Sequence, residues 1–235
     1  MRDGEIDDLL RKAAKAQREP DPALLERIAG SLRTDMRPVR PLPSRWATAC
    51  ALGLLAAAVA LAMAVHFGLH GAHAMSEMQR DAMFPCLAIL IASAALAWTA
   101  ETIPGSRRVS PAVLLAVSTA VLAGLFAILF RDRLSGPFVP PGVACLSAGV
   151  LTAVPAALAG WWLLRRGFAV NPTSAALAAG TLAGLAGVAM LELHCPDFQT
   201  WHVVVWHTAV VPVSAALAAL LAKSVQILRA RAHSR

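Results

Sequence analysis

Residues 46–65 read WATACALGLLAAAVALAMAV, an unbroken run without Asp, Glu, Lys or Arg. A helix rises 1.5 Å per residue, so about 20 such residues cross the roughly 30 Å hydrocarbon core of a bilayer. Five comparable runs follow, at 82–100, 112–130, 143–164, 172–191 and 202–222, and none contains one of those four charged residues. In lipid every backbone polar group must be satisfied internally, which leaves helices and closed barrels. The runs are about twice as long as barrel strands and do not alternate apolar with polar residues, so they read as helices. The expected fold class is all-α, a polytopic membrane protein with six transmembrane helices and a short N-terminal cytoplasmic helical segment. Three parts follow from this: a helical head with a Pro-rich linker at 1–45, a six-helix bundle at 46–222 and a basic tail at 223–235.

Composition supports a membrane chain, with 57% hydrophobic residues and a mean hydropathy of +0.61. The formal net charge of +7 would suit nucleic acid, but the positions of the charges point elsewhere. Of 21 Lys and Arg, 18 lie in 1–45, 101–111, 165–171 or after Ala222, and only Arg80, Arg131 and Arg133 lie in the alternate connections. Positive residues accumulate on the cytoplasmic side. Both termini are therefore expected in the cytoplasm, with no direct contact with nucleic acid. Connections 66–81, 131–142 and 192–201 should face outward. The first apolar run starts too far along for a cleaved signal peptide, whose parts fall within about the first 15–30 residues, so it should stay as a membrane helix.

Within 5–17, Ile6, Leu9, Leu10, Ala13 and Ala14 recur at helical spacing. A second helix should start at Asp21-Pro22, with Asp as cap and Pro in the first turn, and it carries Leu24, Leu25, Ile28 and Leu32 on one stripe. Two short helices cannot bury a core of their own. The first 45 residues mix eight acids with ten bases and hold no aromatic before Trp46, unlike a membrane-surface helix. A protein partner received in helix-in-groove fashion fits better, with Leu9, Leu10, Leu24, Leu25, Ile28 and Leu32 as contact candidates. The stretch 36–43, MRPVRPLP, reads as an extended basic linker.

The remaining chemistry gathers on the outward rim. Cys86 opens the second run, Cys145 the fourth, Cys195 follows the fifth in Leu193-His194-Cys195-Pro196, and His202 and His207 begin the sixth. Cys50 lies toward the other side. Cys145 and Cys195 could pair in an oxidising compartment, or thiolate and imidazole could hold a soft or borderline metal. There is no Cys-x-x-Cys to decide between these readings. His66, His70 and His73 form a weaker group in the first outward connection. The six tryptophans lie near predicted ends and read as interface anchors. Gly180, Gly184 and Gly187 read as close helix packing. No ionisable residue falls in mid-bilayer, which argues against a pump or channel.

The second half resembles the NrsF family of membrane anti-sigma factors. Cys145-Leu146 with Gly149 and Pro155, Arg165-Arg166-Gly167 with Pro172, Leu193-His194-Cys195-Pro196 and Trp206-His207 carry the resemblance over roughly residues 140–222. It implies a six-helix inner-membrane protein that sequesters an extracytoplasmic-function sigma factor through its cytoplasmic head. It also implies that Cys145 and Cys195 sense thiol-reactive or heavy-metal stress, with His194 and His207 as further candidates at that rim. The expected role is transcription regulation by protein binding, without catalysis and without a cofactor, a metal ion entering only as a stimulus. The rival readings are a membrane thiol oxidoreductase passing electrons to quinone, and a small transporter.

Overall fold

The computed structural model describes residues 5, 7–9, 11–12, 21–35, 43–103, 109–130, 138–164, 169 and 171–233. Among them there is no strand, and six helices are long and apolar enough to cross a membrane, as the all-α reading expects. The chain divides into two compact units, Met1–Leu42 and Pro43–Arg235.

In the first unit, residues 5, 7–9 and 11–12 are helical and exposed. Helix α1 spans Pro22–Asp35. The Asp21 carboxylate accepts from the Ala23 amide at 3.0 Å, and Pro22 supplies a preset first turn. Leu24, Leu25, Ile28 and Leu32 are all exposed along it, as is Leu9 upstream. Leu10 and most of the 36–43 linker lie outside the described residues.

The second unit holds α2 (Arg45–Phe67), the short α3 (His70–Ala74), α4 (Glu77–Thr102), α5 (Pro111–Leu129), α6 (Val139–Leu164), α7 (Pro172–His194), α8 (Thr200–His202) and α9 (Thr208–His233), with a π-helical turn, Val203–His207, between the last two. Polar caps sit where the apolar runs begin. The Ser44 hydroxyl accepts from Ala47, Ser76 and Gln79 form a reciprocal capping box, and Asn171 accepts from Thr173 and Ser174. Pro111 and Pro172 occupy first-turn positions, where a missing N–H costs nothing. Pro85, Pro155 and Pro212 are accommodated inside helices. Helix α2 stops at Gly68, whose φ of 103° is open to glycine but costly for other residues.

Helix α7 is the axle of the bundle and touches α2, α3, α4, α5, α6 and α9. In its most apolar window 78% of residues are buried, against 22% for α5 and 28% for α2 and α6. Its glycines explain why a helix so poor in side-chain bulk is central. A Cβ at Gly180 would come within 2.6 Å of the Ala215 Cα, and one at Gly184 within 2.7 Å of the Val211 Cα. These i, i+4 pairs bring the backbones of α7 and α9 together. One turn on, a Cβ at Gly187 would strike the Gly149 carbonyl of α6. The outer helices instead turn Leu54, Leu61, Ile89, Ile128, Leu151 and Leu158 outward, as a lipid-facing wall does.

The helices overrun the apolar runs: α4 takes in Glu77 and the buried Glu101, and the last continues to His233 rather than stopping at 222. Trp46, Trp161, Trp162 and Trp201 are exposed near helix ends, in keeping with anchors. Trp98 and Trp206 differ. The first is 6% exposed and fills the space above Gly160, and the second packs where a Cβ at Gly142 would collide with its indole.

Candidate functional site

The connections 68–76 and 195–199 and the end of α5 are knitted together at one end of the bundle. The imidazole of His194 donates through Nδ1 to the Gly68 carbonyl at 3.0 Å, and Gly71 lies so near the Glu192 and Cys195 carbonyls that a Cβ would approach each to 2.6 Å. Gln79 reaches the Leu129 carbonyl at 3.2 Å, Thr200 donates to the Phe130 carbonyl, and Phe130 stacks on Phe198 with centroids 5.0 Å apart. Such bridges hold an otherwise irregular rim in one arrangement.

Cys195 follows the last residue of α7. Its amide donates to the Leu191 carbonyl, and Pro196 stops the helix from continuing. Its Sγ is 3.6 Å from that of Cys145, two turns into α6, and the residue is 4% exposed. The hydrogen bond with Cys145 and then burial push the Cys195 thiol above its ordinary pKa.

Two histidines complete the cluster. His202 Nε2 lies 3.8 Å from the Cys195 sulfur, and its Nδ1 lies 3.7 Å from the Asp197 carboxylate, ion-pair range but too long for a hydrogen bond. His207 donates through Nδ1 to Glu192 Oε1 at 2.7 Å, both residues being wholly buried. The two imidazoles meet edge to face at 5.3 Å, with Phe126 edge-on to His207. Five residues apart on an α-helix, two side chains point about 140° away from each other. The π turn between them, with its i to i+5 bonding, brings His202 and His207 to one side. One donor atom from each of Cys145, Cys195, His202 and His207 lies within 4.8 Å of the other three.

Of the rim residues singled out in the sequence, Cys145, Cys195, His202 and His207 thus converge. His194 does not join them: it is held by Gly68, with its ring against Phe67 and His70. Glu192 joins the cluster through its hydrogen bond with His207, a role the sequence did not assign. The signal available was the pair of polar residues Glu192 and His207 facing an otherwise apolar bundle, since buried charge demands a partner. Cys86 is half-buried against the core, and Cys50 is exposed on α2. His73 bonds the Leu69 carbonyl at 2.7 Å.

The family described as NrsF, negative regulator of sigma F, matches residues 32–227. No curated protein and no solved structure matches the chain. The family match extends from within α1 into the last of the six membrane-length helices and takes in every residue of the cysteine–histidine cluster. The chain belongs to the NrsF family of negative regulators of a sigma factor.

Proposed function

We propose that this protein holds an extracytoplasmic-function sigma factor inactive at the cytoplasmic face of a bacterial inner membrane, and releases it when envelope stress changes the state of Cys145 and Cys195. The sigma factor docks on the 1–45 head, where Leu24, Leu25, Ile28 and Leu32, with Leu9 and Leu10 before them, offer apolar side chains to a groove. Full burial of a Leu or Ile is worth roughly 1.5–3 kcal/mol, so four or five provide ample affinity. Both termini lie in the cytoplasm, the thiol rim in the envelope, and 223–235 forms a basic tail on the inner side.

The observation that carries the sensory part is the 3.6 Å contact between two thiols on different elements. An oxidant that removes two electrons and two protons would join them at about 2.05 Å, and a thiophilic metal would bridge them. Either event redefines the distance between α6 and the connection leading to α9. Helices α6, α7 and α9 meet at glycines with little side-chain cushion, so a shift at the rim is passed along the bundle. Regulation further requires that the stimulus favour one of two bundle arrangements, since equal affinity for both moves nothing.

The test is co-purification of the full-length protein with its sigma factor before and after treatment with a thiol oxidant or cadmium. Wild type should lose the partner, and the Cys145→Ser/Cys195→Ser variant should keep it. Equal release from both proteins would end the sensory proposal while leaving the family role untouched.

A further inference from the structure

Four donors in a mutual radius of 4.8 Å are more than a thiol pair needs. We propose that Cys145, Cys195, His202 and His207 bind one zinc(II) ion in a closed tetrahedral S2N2 site. Metal binding stands on the geometry alone; that occupancy is what the regulator senses rests on the function proposed above.

On a tetrahedral zinc with bonds of about 2.3 Å to sulfur and 2.0–2.1 Å to nitrogen, two thiolates sit about 3.8 Å apart, and a thiolate and an imidazole about 3.6 Å. The observed separations are 3.6 Å between the sulfurs and 3.8 Å from Cys195 Sγ to His202 Nε2. The four donors lie within 4.8 Å of one another, so the remaining pairs close by up to about 1 Å to seat the ion.

Carboxylates stand behind both imidazoles. Glu192 accepts from His207 Nδ1, which fixes the tautomer and leaves Nε2 as the free donor; that atom is buried with no hydrogen-bond partner. Asp197 stands behind His202 Nδ1 at 3.7 Å, in ion-pair range without a hydrogen bond, and could close on it once the ion is seated. Carboxylate–histidine–metal relays of this form orient ligands and strengthen them. Without an ion, a wholly buried Glu192–His207 pair is a poor source of stability, because desolvation offsets its attraction. As the support of a metal ligand it has a purpose.

Charge also balances. The two thiols release their protons to solvent on binding, and two thiolates against Zn²⁺ give a neutral centre that tolerates burial beside Phe126. The donor set of two soft sulfurs and two borderline nitrogens selects zinc or a softer ion over magnesium or calcium.

The experiment uses the full-length protein, reduced and stripped of metal in detergent, then equilibrated with zinc(II) or cobalt(II) and desalted. One zinc per chain by mass spectrometry, and a cobalt spectrum with thiolate charge transfer and tetrahedral ligand-field bands, are expected. Cys145→Ser, Cys195→Ser and His207→Ala should each weaken zinc binding by more than about 100-fold, and Glu192→Gln by about 10-fold. His202→Cys, which keeps four donors, should retain zinc with stronger charge transfer, and this guards against loss through misfolding. Cys50→Ser should change nothing. Zinc retained by the Cys145→Ser/Cys195→Ser variant, or less than about 0.1 zinc per wild-type chain, would overturn the site. Sigma-factor capture measured on the same samples separates the two claims. Stoichiometric zinc with capture indifferent to it upholds the site and removes its regulatory meaning; capture and oxidant release without bound zinc removes the site and leaves the regulator.

Discussion

Gly187 and Gly149 show how little room the centre of this protein leaves. A methyl group at Gly187 would fall on the carbonyl of Gly149, which is backbone and cannot swing aside. Gly187→Ala should therefore separate α6 from α7 and destabilise the bundle by about 1–3 kcal/mol, read as an earlier midpoint in detergent unfolding. Gly124 on α5 meets nothing within 4 Å of the same methyl. Gly124→Ala should be neutral, or stabilising by up to about 1 kcal/mol. Equal losses from the two substitutions would mean that the glycines serve flexibility and not contact. At Glu192, replacement by Leu should cost about 1–3 kcal/mol by the same assay, because it strands the buried His207 Nδ1 without an acceptor.

Helix α1 and the π turn are the elements whose disruption should separate partner binding from rim chemistry. Leu24→Glu with Ile28→Glu puts charge on the exposed stripe without touching a core, so the protein should still insert and bind metal while sigma-factor capture falls at least about 100-fold. Undiminished capture would move the docking surface elsewhere. Inserting one Ala after Val204 changes the histidine spacing from five to six, which no π turn can align, and should abolish zinc retention while leaving a helical, membrane-inserted chain. These two elements also mark what could be read beforehand. Apolar length alone located all six spans, because lipid admits no other way to satisfy a backbone. It placed their ends poorly at α4 and α9, where the helix continues into polar sequence that a hydropathy pattern stops short of. The rim was legible in its thiols and in His207, which the resemblance also pointed to. His202 was named with them, but its convergence with His207 was not legible, because a 3.6-residue rule fails in a π turn. His194 was misleading because adjacency to Cys195 says nothing of direction once a helix has ended.

For the molecule as a whole, orientation is the property on which the proposed function depends. Alkaline phosphatase fused at Asp197 should be active, and the same enzyme fused at Arg235 inactive, if the charge pattern sets the orientation proposed above. The reverse pattern would put the thiols in a reducing compartment and defeat the stress reading. A second property concerns length. From Thr200 to Ala232 the final helical stretch comprises 33 residues, or about 50 Å, well beyond the roughly 30 Å of a hydrocarbon core. His202 and His207 sit at one extremity of this rod, and Lys223, Arg229 and Arg231 toward the other. Because α9 lies backbone to backbone on α7 at Val211 and Ala215, it cannot pivot freely at His207, and a change there reaches Lys223 and beyond only by shifting the two helices together. On the orientation proposed above, the part of α9 that outruns the hydrocarbon core projects to the inner side, where such a shift becomes accessible to a protein partner.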